Sequence, residues 1–448
     1  MKDLVKKYNV PGPRYTSYPT VPFWKNTPSE LEWIENLNGA IASSCNKAGI
    51  YIHLPYCESL CTYCGCNTRI TVNHSVEEPY VKAVLDEWKM YLTRLPALSG
   101  IAELHLGGGT PTFFSPSNLQ KLIQGILKET DGNIVPVMSF EGHPSSTSSG
   151  HLKILAELGF NRISLGIQDF DPIVQAAINR KQSFNEVKSV TESAREYGYD
   201  SVNYDVIFGL PFQTLQSIED TIRKVILLRP DRIAFYSYAH VPWMKPGQRK
   251  YSEKDIPDGE EKLSLYKKGK DIFLESGYVE IGMDHFALKS DDLYKAMTAG
   301  KLHRNFMGYT VAQSSAVIGL GVSAIGDSWN AFAQNKKIVE DYIQNVSEGK
   351  FPIFRGHLLS ERELKLRKII LDLMCNFKAS LNCFENDDLL IQSLVRLESL
   401  KEDGLVQTVG HTVLVTDSGR PFIRNICMAF DESLWMENPE SQMFSSTV

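Results

Sequence analysis

Three cysteines, Cys57, Cys61 and Cys64, stand at the spacing Cys-x3-Cys-x2-Cys, with a fourth, Cys66, two positions further on. A structural zinc site or an ordinary Cys-ligated iron–sulfur cluster takes four protein ligands. Three thiolates instead hold three irons of a 4Fe-4S cube and leave the fourth iron open to a molecule that reacts. Cys66 as a fourth ligand would make a zinc knuckle, but Cys64-Gly65-Cys66 is tighter than the two-residue separation usual in zinc loops. A disulfide framework is disfavoured, because Cys45, Cys375, Cys383 and Cys427 are scattered and nothing at the N-terminus reads as a secretory signal.

The elements that position these thiols follow from hydrophobic patterning. Ile50, Ile52 and Leu54 alternate with Tyr51 and His53 as a strand, which Pro55 ends just before the cysteines. Further strands are expected at Glu103–Leu106, Val137–Glu141, Arg162–Ile167, Val202–Phe208 and Arg232–Tyr238. Helices are expected between and after them at Tyr80–Leu92, Ser117–Lys128, Gly150–Leu158, Phe184–Tyr197, Thr214–Leu228 and Asp258–Ser276. Six strand–helix alternations mean a parallel sheet covered by helices, two units short of a closed eight-fold barrel. The predicted fold is therefore α/β, an open partial (β/α)6 barrel over residues 41–348, with Val279–Asp284 as a possible added strand.

In such sheets chemistry sits where strands end. The cysteine loop follows the first strand, Gly107-Gly108-Gly109-Thr110 the second, Glu141 ends the third, Gln168-Asp169 follow the fourth, Asp205 lies in the fifth, and Tyr238-Ala239-His240 end the sixth. The glycine turn lacks the Lys-Ser/Thr of a phosphate loop and the spacing of a dinucleotide site, yet lets a ligand approach the backbone closely. Glu141 or Asp205 taken singly reads equally well as a cap or a surface charge; in series at strand ends they read as ligand contacts.

Residues 1–40, with Pro11, Pro13, Pro19, Pro22 and Pro28 among aromatic residues, are expected to form no long helix but an arm laid over the body, bringing Arg14 toward the site. Residues 349–448 change character. Leu358–Asn376 opens with a Ser360/Glu363 capping box, Leu389–Asp403 is a second amphipathic helix, and a hairpin turns at Gly410, which together suggest a winged-helix-like lobe. The 448 residues are 43% hydrophobic and 22% charged with net charge −6. The chain is thus expected to be cytoplasmic, with neither nucleic acid nor membrane as a partner.

The cysteine loop resembles the radical S-adenosylmethionine signature. Together with Gly-Gly-Gly-Thr-Pro-Thr, Gly-Ile-Gln168-Asp-Phe, Asp205-Val-Ile-Phe-Gly-Leu-Pro, Gly-Met-Asp-His285-Phe, His303-Arg304-Asn-Phe306 and Gly-Val-Ser-Ala-Ile325, the chain is similar nearly end to end to oxygen-independent coproporphyrinogen III oxidases. The resemblance implies a 4Fe-4S cluster on Cys57, Cys61 and Cys64, and two S-adenosylmethionine molecules per active site. Tyr51, Gly108, Glu141 and Ile325 match contacts to one of these; Tyr63, Gly109, Thr110, Gln168, Arg180, Asp205 and Ala239 match contacts to the other, with Phe306 and Met307 beside it. It also implies a catalytic part for Cys66, Glu141 and Arg14, coproporphyrinogen III as substrate, an electron donor such as flavodoxin or ferredoxin, and a monomer.

The implied reaction turns two propionates into vinyl groups through a 5′-deoxyadenosyl radical. Arg14, Arg304 and Arg69 are candidates for pairing with the propionates, since guanidinium binds carboxylate bidentately. Two positions depart from the family pattern: Gly142-His143 follows Glu141, and Met307 stands where a glutamine commonly does, offering a thioether in place of an amide. A remodelled second site would also suit a radical C-methyltransferase or an anaerobic haem-degrading enzyme. A haem-binding relative is a third reading, though such proteins usually carry an aromatic residue where Gly65-Cys66 follows the motif here.

Overall fold

The structure is a computed structural model and describes residues 2–128, 137–312, 314–382, 388–437 and 443–447. Its centre is one sheet of twelve strands: β1 (Lys47–Leu54), β2 (Gly100–Gly108), β3 (Met138–Gly142), β4 (Arg162–Gln168), β5 (Ser201–Phe208), β6 (Arg232–Ser237), β7 (Tyr278–Gly282), β8 (His285–Leu288), β9 (Val317–Leu320), β10 (Ile325–Asp327), β11 (Ala331–Asn335) and β12 (Ile353–Leu358). They lie in the order β12-β11-β10-β9-β1-β2-β3-β4-β5-β6-β8-β7. From β9 through β6 all neighbours are parallel, and the additions at both flanks are antiparallel. The six expected strands are thus the middle of a wider sheet, and β12 carries it past residue 348.

Alternation sorts the parallel strands into two faces. Ile50, Ile52, Leu54, Leu104, Leu106, Phe140, Ile163, Leu165, Val202, Tyr204, Ile233 and Phe235 belong to one buried apolar cluster. The helices Glu77–Arg94, Pro116–Leu127, Ser149–Glu157, Phe184–Glu196, Leu215–Leu227 and Gly259–Glu275 contribute their own apolar residues to it. Several of these helices start at reciprocal capping boxes, as at Ser183/Glu186 and Asp258/Glu261, each cap stabilising by about 1 kcal/mol. The opposite face of the strands is polar, and it is the face that carries chemistry.

The N-terminal segment corrects the expectation of an arm without a long helix. Its prolines stop at Pro28, and Ser29 with Glu32 then forms a capping box that starts the helix Glu30–Ser43. Trp33, Leu37 and Ile41 of that helix join the main core. Only the stretch before it behaves as a wrap: Tyr15 and Tyr18 belong to a second core with Leu366, Leu373, Phe422 and Phe430. Tyr15 Oη donates to Asp431 Oδ2 at 2.9 Å.

That second core holds the C-terminal lobe. It comprises the helix Glu361–Asn376, capped by Ser360 and Glu363 as expected, the helix Asp388–Glu402, and a three-stranded sheet of Lys378–Ser380, Val406–Val409 and Thr412–Val415. The two ends of the chain meet on it. Gly12 N donates to Ser445 O (3.1 Å) and Thr447 N to Val10 O (2.8 Å). Buried Arg424 donates to the carbonyls of Gly12, Pro13 and Ser446. None of the helices among the described residues is long and apolar enough to cross a membrane.

Candidate active site

Beyond β1 the chain turns at Pro55, and the two-residue strand Tyr56–Cys57 pairs with Arg69–Ile70, closing the cysteine loop at its base. The loop is tied from three sides. Thr71 N donates to Cys57 O at 2.9 Å, Thr62 N to Ile178 O at 3.0 Å, and Asn179 Nδ2 to Leu60 O at 2.8 Å. Cys57, Cys61 and Cys64 are half-buried and Cys66 is exposed, and all four line a single cavity of about 560 Å³ at the C-terminal ends of the strands.

The glycine turn forms the wall opposite the loop. Gly109 N donates to Leu54 O (2.8 Å) and Thr110 N to Tyr56 O (3.0 Å), while Thr110 Oγ1 lies 3.2 Å from Cys57 Sγ. A side chain cannot be accommodated here: a Cβ on Gly109 would stand 2.5 Å from Pro55 O. Gly108, with φ +115°, would put one 2.8 Å from the His53 ring. Gly108 N also donates to Glu141 Oε2 at 3.2 Å, so the carboxylate and the turn position one another.

Polar side chains from β1 to β6 build the floor in rows across the sheet. Registers Tyr51↔His105 and His105↔Ser139 make one row, and Glu141↔Ser164↔Asn203↔Arg232 another. Asp205 accepts from Ser164 Oγ (3.2 Å) and Asn203 Nδ2 (2.9 Å). Burial, and then repulsion from Glu141, raise its proton affinity so that it titrates at about 7. Arg180, buried behind the loop, donates to Gly166 O at 2.5 Å and reaches Cys61 Sγ at 3.6 Å, with its Nε unpartnered.

The thiols are not equivalent. Burial pushes Cys57 up to about 11, whereas Cys64 is pushed down to about 6, first by hydrogen bonding with Cys66 and then by the charges of Lys245 and Arg180. Among the described residues no three His, Cys, Asp or Glu side chains converge as they would around a single metal ion. Three thiols around one roomy cavity, a glycine wall with no space for side chains and a buried guanidinium whose Nε has no partner among the described residues suit a larger inorganic group with a polar organic ligand beside it.

The structure brings Cys57, Cys61, Cys64, Cys66, Tyr63, Gly108, Gly109, Thr110, Glu141, Gln168, Arg180 and Asp205 together on this cavity. Met307 lines a smaller inner cavity of about 160 Å³ that shares Glu141, Ser164, Asp205 and Tyr236 with the first. Other sequence candidates stand further off. Tyr51 stacks on His105 (5.9 Å between centroids), Phe306 packs edge-on against Trp24 and Phe332, the Ala239 carbonyl accepts from Gln248, and Ile325 pairs with Gln334 in the sheet. Arg14 pairs with Asp284 at 3.1 Å and donates to Ser237 O, its guanidinium 5.6 Å from the ring of Tyr236. Arg304 is buried over Tyr309, with two guanidinium nitrogens lacking a partner, whereas Arg69 is on the surface with Glu340.

Sequence reasoning passed over His105, Ser164 and Tyr236, which line the two cavities, and expected little effect from His143, which lines the larger one. The signal for most of them was present in the alternation: Glu103, His105 and Gly107 on β2, or Arg162, Ser164 and Gly166 on β4, are polar or small at every second place, which a barrel packed with side chains would not tolerate.

Residues 51–225 match the family model described as the Radical SAM superfamily. The chain is 37% identical over 458 residues to an oxygen-independent coproporphyrinogen III oxidase of Synechocystis, covering 100% of this chain and 97% of that one. It is 36% identical over 454 residues to the enzyme of the same name from Escherichia coli K12, covering 99% and 98%. The solved structure of Escherichia coli coproporphyrinogen III oxidase, described there as a radical SAM enzyme, superimposes with a TM-score of 0.88 at 34% identity over 96% of this chain and 98% of that one.

Proposed function

The chain belongs to the oxygen-independent coproporphyrinogen III oxidase family, and from that premise we propose that the cavity at the barrel mouth is where coproporphyrinogen III loses the carboxyl groups of two propionates and becomes protoporphyrinogen IX. The observation that supports this most directly is the meeting of three thiols, the glycine wall and the Glu141/Asp205 pair on one cavity. Membership of the radical SAM superfamily brings a 4Fe-4S cluster and S-adenosylmethionine. Cys57, Cys61 and Cys64 are the proposed ligands, with two S-adenosylmethionine molecules, one at Tyr51, Gly108, Glu141 and Ile325, and the other toward Gln168, Arg180, Asp205 and Met307.

When bound, the cluster and S-adenosylmethionine would supply radical hydrogen-atom abstraction from the substrate side chain, and the electron released with CO2 as the vinyl group forms would pass to an external one-electron acceptor. The protein's own work is placement. Gly108 and Gly109 let polar ligand atoms reach the backbone; Glu141, held by Gly108 N, fixes one end of the cofactor site. Asp205 is poised between protonated and ionised states near neutrality, and the approach of a cationic sulfonium favours the ionised form. Arg180 places positive charge behind Cys61. Arg304, with two nitrogens free of protein partners, and Arg14 at the arm are the proposed carboxylate readers. We further propose that the protein works as a monomer and draws electrons from a separate carrier protein.

Anaerobic turnover of coproporphyrinogen III with a chemical reductant and S-adenosylmethionine tests the reading. Products with one and then two vinyl groups, and methionine formed in step with them, are expected. Methylated porphyrin, or no porphyrin change at all, would refute it.

A further inference from the structure

The cysteine loop is flanked on its outer side by four cations, Lys245, Lys336, Lys337 and Arg355, that among the described residues form no ion pair. Lys245 Nζ donates to Gly65 O at 3.0 Å, and on the other side Asn67 Nδ2 donates to Lys337 O at 2.9 Å. The exposed Gly65–Cys66 segment therefore lies between two lysines. Beyond Lys337, Lys336, Lys337 and Arg355 gather around the ring of Phe354 at 5.9, 5.8 and 6.0 Å, and Phe354 is itself 49% exposed.

Among the described residues none of these four cations has a carboxylate within ion-pair distance; the nearby Glu340 is taken up by Arg69 at 3.1 Å. The cations crowd one another: burial, and then repulsion from Arg355 and Lys245, push the Lys337 ammonium down. Exposed apolar residues neighbour these positions in the chain, Trp243 and Met244 just before Lys245, and Leu60, Ile70 and Val72 in or next to the cysteine loop. A chain of net charge −6 that concentrates unpaired lysines and a bare aromatic ring at this one loop has a surface for an anionic macromolecule.

Building on the proposed reading of the site, we propose that the face formed by Lys245, Lys336, Lys337 and Arg355 around Phe354 docks an acidic one-electron carrier protein. The carrier is oxidised by one electron and the cluster behind Cys57, Cys61 and Cys64 is reduced by one. Electron transfer weakens steeply with distance, so the carrier must sit where the cluster loop meets solvent; Glu58–Leu60 and Gly65–Cys66 are both exposed, and it is Gly65–Cys66 that lies beside Lys245 and Lys337. Transient redox complexes use small interfaces steered by charge, with apolar residues at their centre; Phe354 with its three cations has that composition.

The test uses the full-length protein with its cluster, and flavodoxin as the acidic carrier. Lys336→Glu/Lys337→Glu should weaken flavodoxin binding, measured by titration calorimetry at low salt, by at least about tenfold and flatten its salt dependence. It should slow cluster reduction by flavodoxin hydroquinone in stopped flow, while reduction by dithionite and the iron content stay at wild-type values. Should charge reversal disturb iron content, the milder Lys336→Gln/Lys337→Gln pair carries the same expectation with a smaller factor. Unchanged flavodoxin binding in both pairs overturns the proposal. So does a raised KM for porphyrinogen with unchanged flavodoxin binding, which would make the face an entrance for the carboxylated substrate. A wild type that binds flavodoxin through these lysines yet forms no vinyl product with either reductant would leave the docking face standing and refute the oxidase reading instead.

Discussion

Replacing Gly109 by alanine tests whether the backbone of the glycine turn supports the cysteine loop. The added Cβ would lie 2.5 Å from Pro55 O, 2.6 Å from Pro55 C and 2.9 Å from Tyr56 O, all backbone atoms. Since such contacts do not occur under 3.0 Å, the two strands must part by at least 0.5 Å, the difference of 3.0 and 2.5. That separation strains the bonds from Gly109 N to Leu54 O and from Thr110 N to Tyr56 O, and it falls two residues before Cys57. Overpacking costs about 1–3 kcal/mol and each of the two weakened hydrogen bonds about 0.5–1.5, so a loss of about 2–6 kcal/mol is expected. Thermal unfolding of the cluster-free protein reads the stability, and iron per chain after anaerobic reconstitution reads the loop. Gly39→Ala is the control: it lies within the helix Glu30–Ser43 with no atom within 4 Å of its would-be Cβ, and should stabilise by about 0.5–1 kcal/mol. A Gly109→Ala protein with the wild-type midpoint and a full iron load would refute the idea that this wall positions the thiols.

Other outcomes follow from the same geometry. Cys57→Ala, Cys61→Ala and Cys64→Ala should each lose the brown cluster absorbance and activity, while Cys45→Ala, at an exposed position away from the cavity, keeps both; Cys383 lies outside the described residues. Cys66→Ser should load iron but turn over slowly, and loss of its iron would revive a four-ligand centre. Asp205, raised from 3.8 to about 7, binds its proton more tightly folded than unfolded. Its contribution to stability is therefore complete below about pH 4 and lost as pH rises to about 7, up to about 4 kcal/mol and less because it lines an open cavity. Asp205→Asn should flatten that fall in chemical-denaturation curves; a fall of undiminished size would point to another group. Met307→Gln should raise affinity for the second S-adenosylmethionine by about tenfold and leave the first unchanged. A stoichiometry of one per cluster in wild type, with two-vinyl product still formed, would remove the second site from the mechanism.

The parts of the site that are local in sequence were readable there. β1 with its cysteines, the glycine turn, Glu141 near the end of β3 and Asp205 within β5 all announce themselves by period and punctuation, because a strand that buries one face must alternate. Contacts made by long side chains across the fold were hidden: nothing local shows that Arg180 returns to Gly166 and Cys61, or that the His53 ring occupies the space a Cβ on Gly108 would need. Strands β9 and β11 were missed because they are buried at every position, leaving no alternation to read. The helix at Glu30 was missed for a different reason, since the proline-rich stretch before it was extended past its last proline.

The clasp between the two ends of the chain has a consequence for how the protein is made. Gly12, Pro13 and Val10 are held by Arg424, Ser445 and Thr447, and Tyr15 by Asp431. During synthesis Gly12 and Pro13 leave the ribosome long before Arg424 exists to hold them, whereas Asp284 and Ser237, the partners that hold Arg14 beside Tyr236, emerge well before the C-terminal residues. The residues that line the cavity all precede Arg424, so a chain cut before Arg424 would keep the cavity's lining and lose the clasp on Gly12 and Pro13.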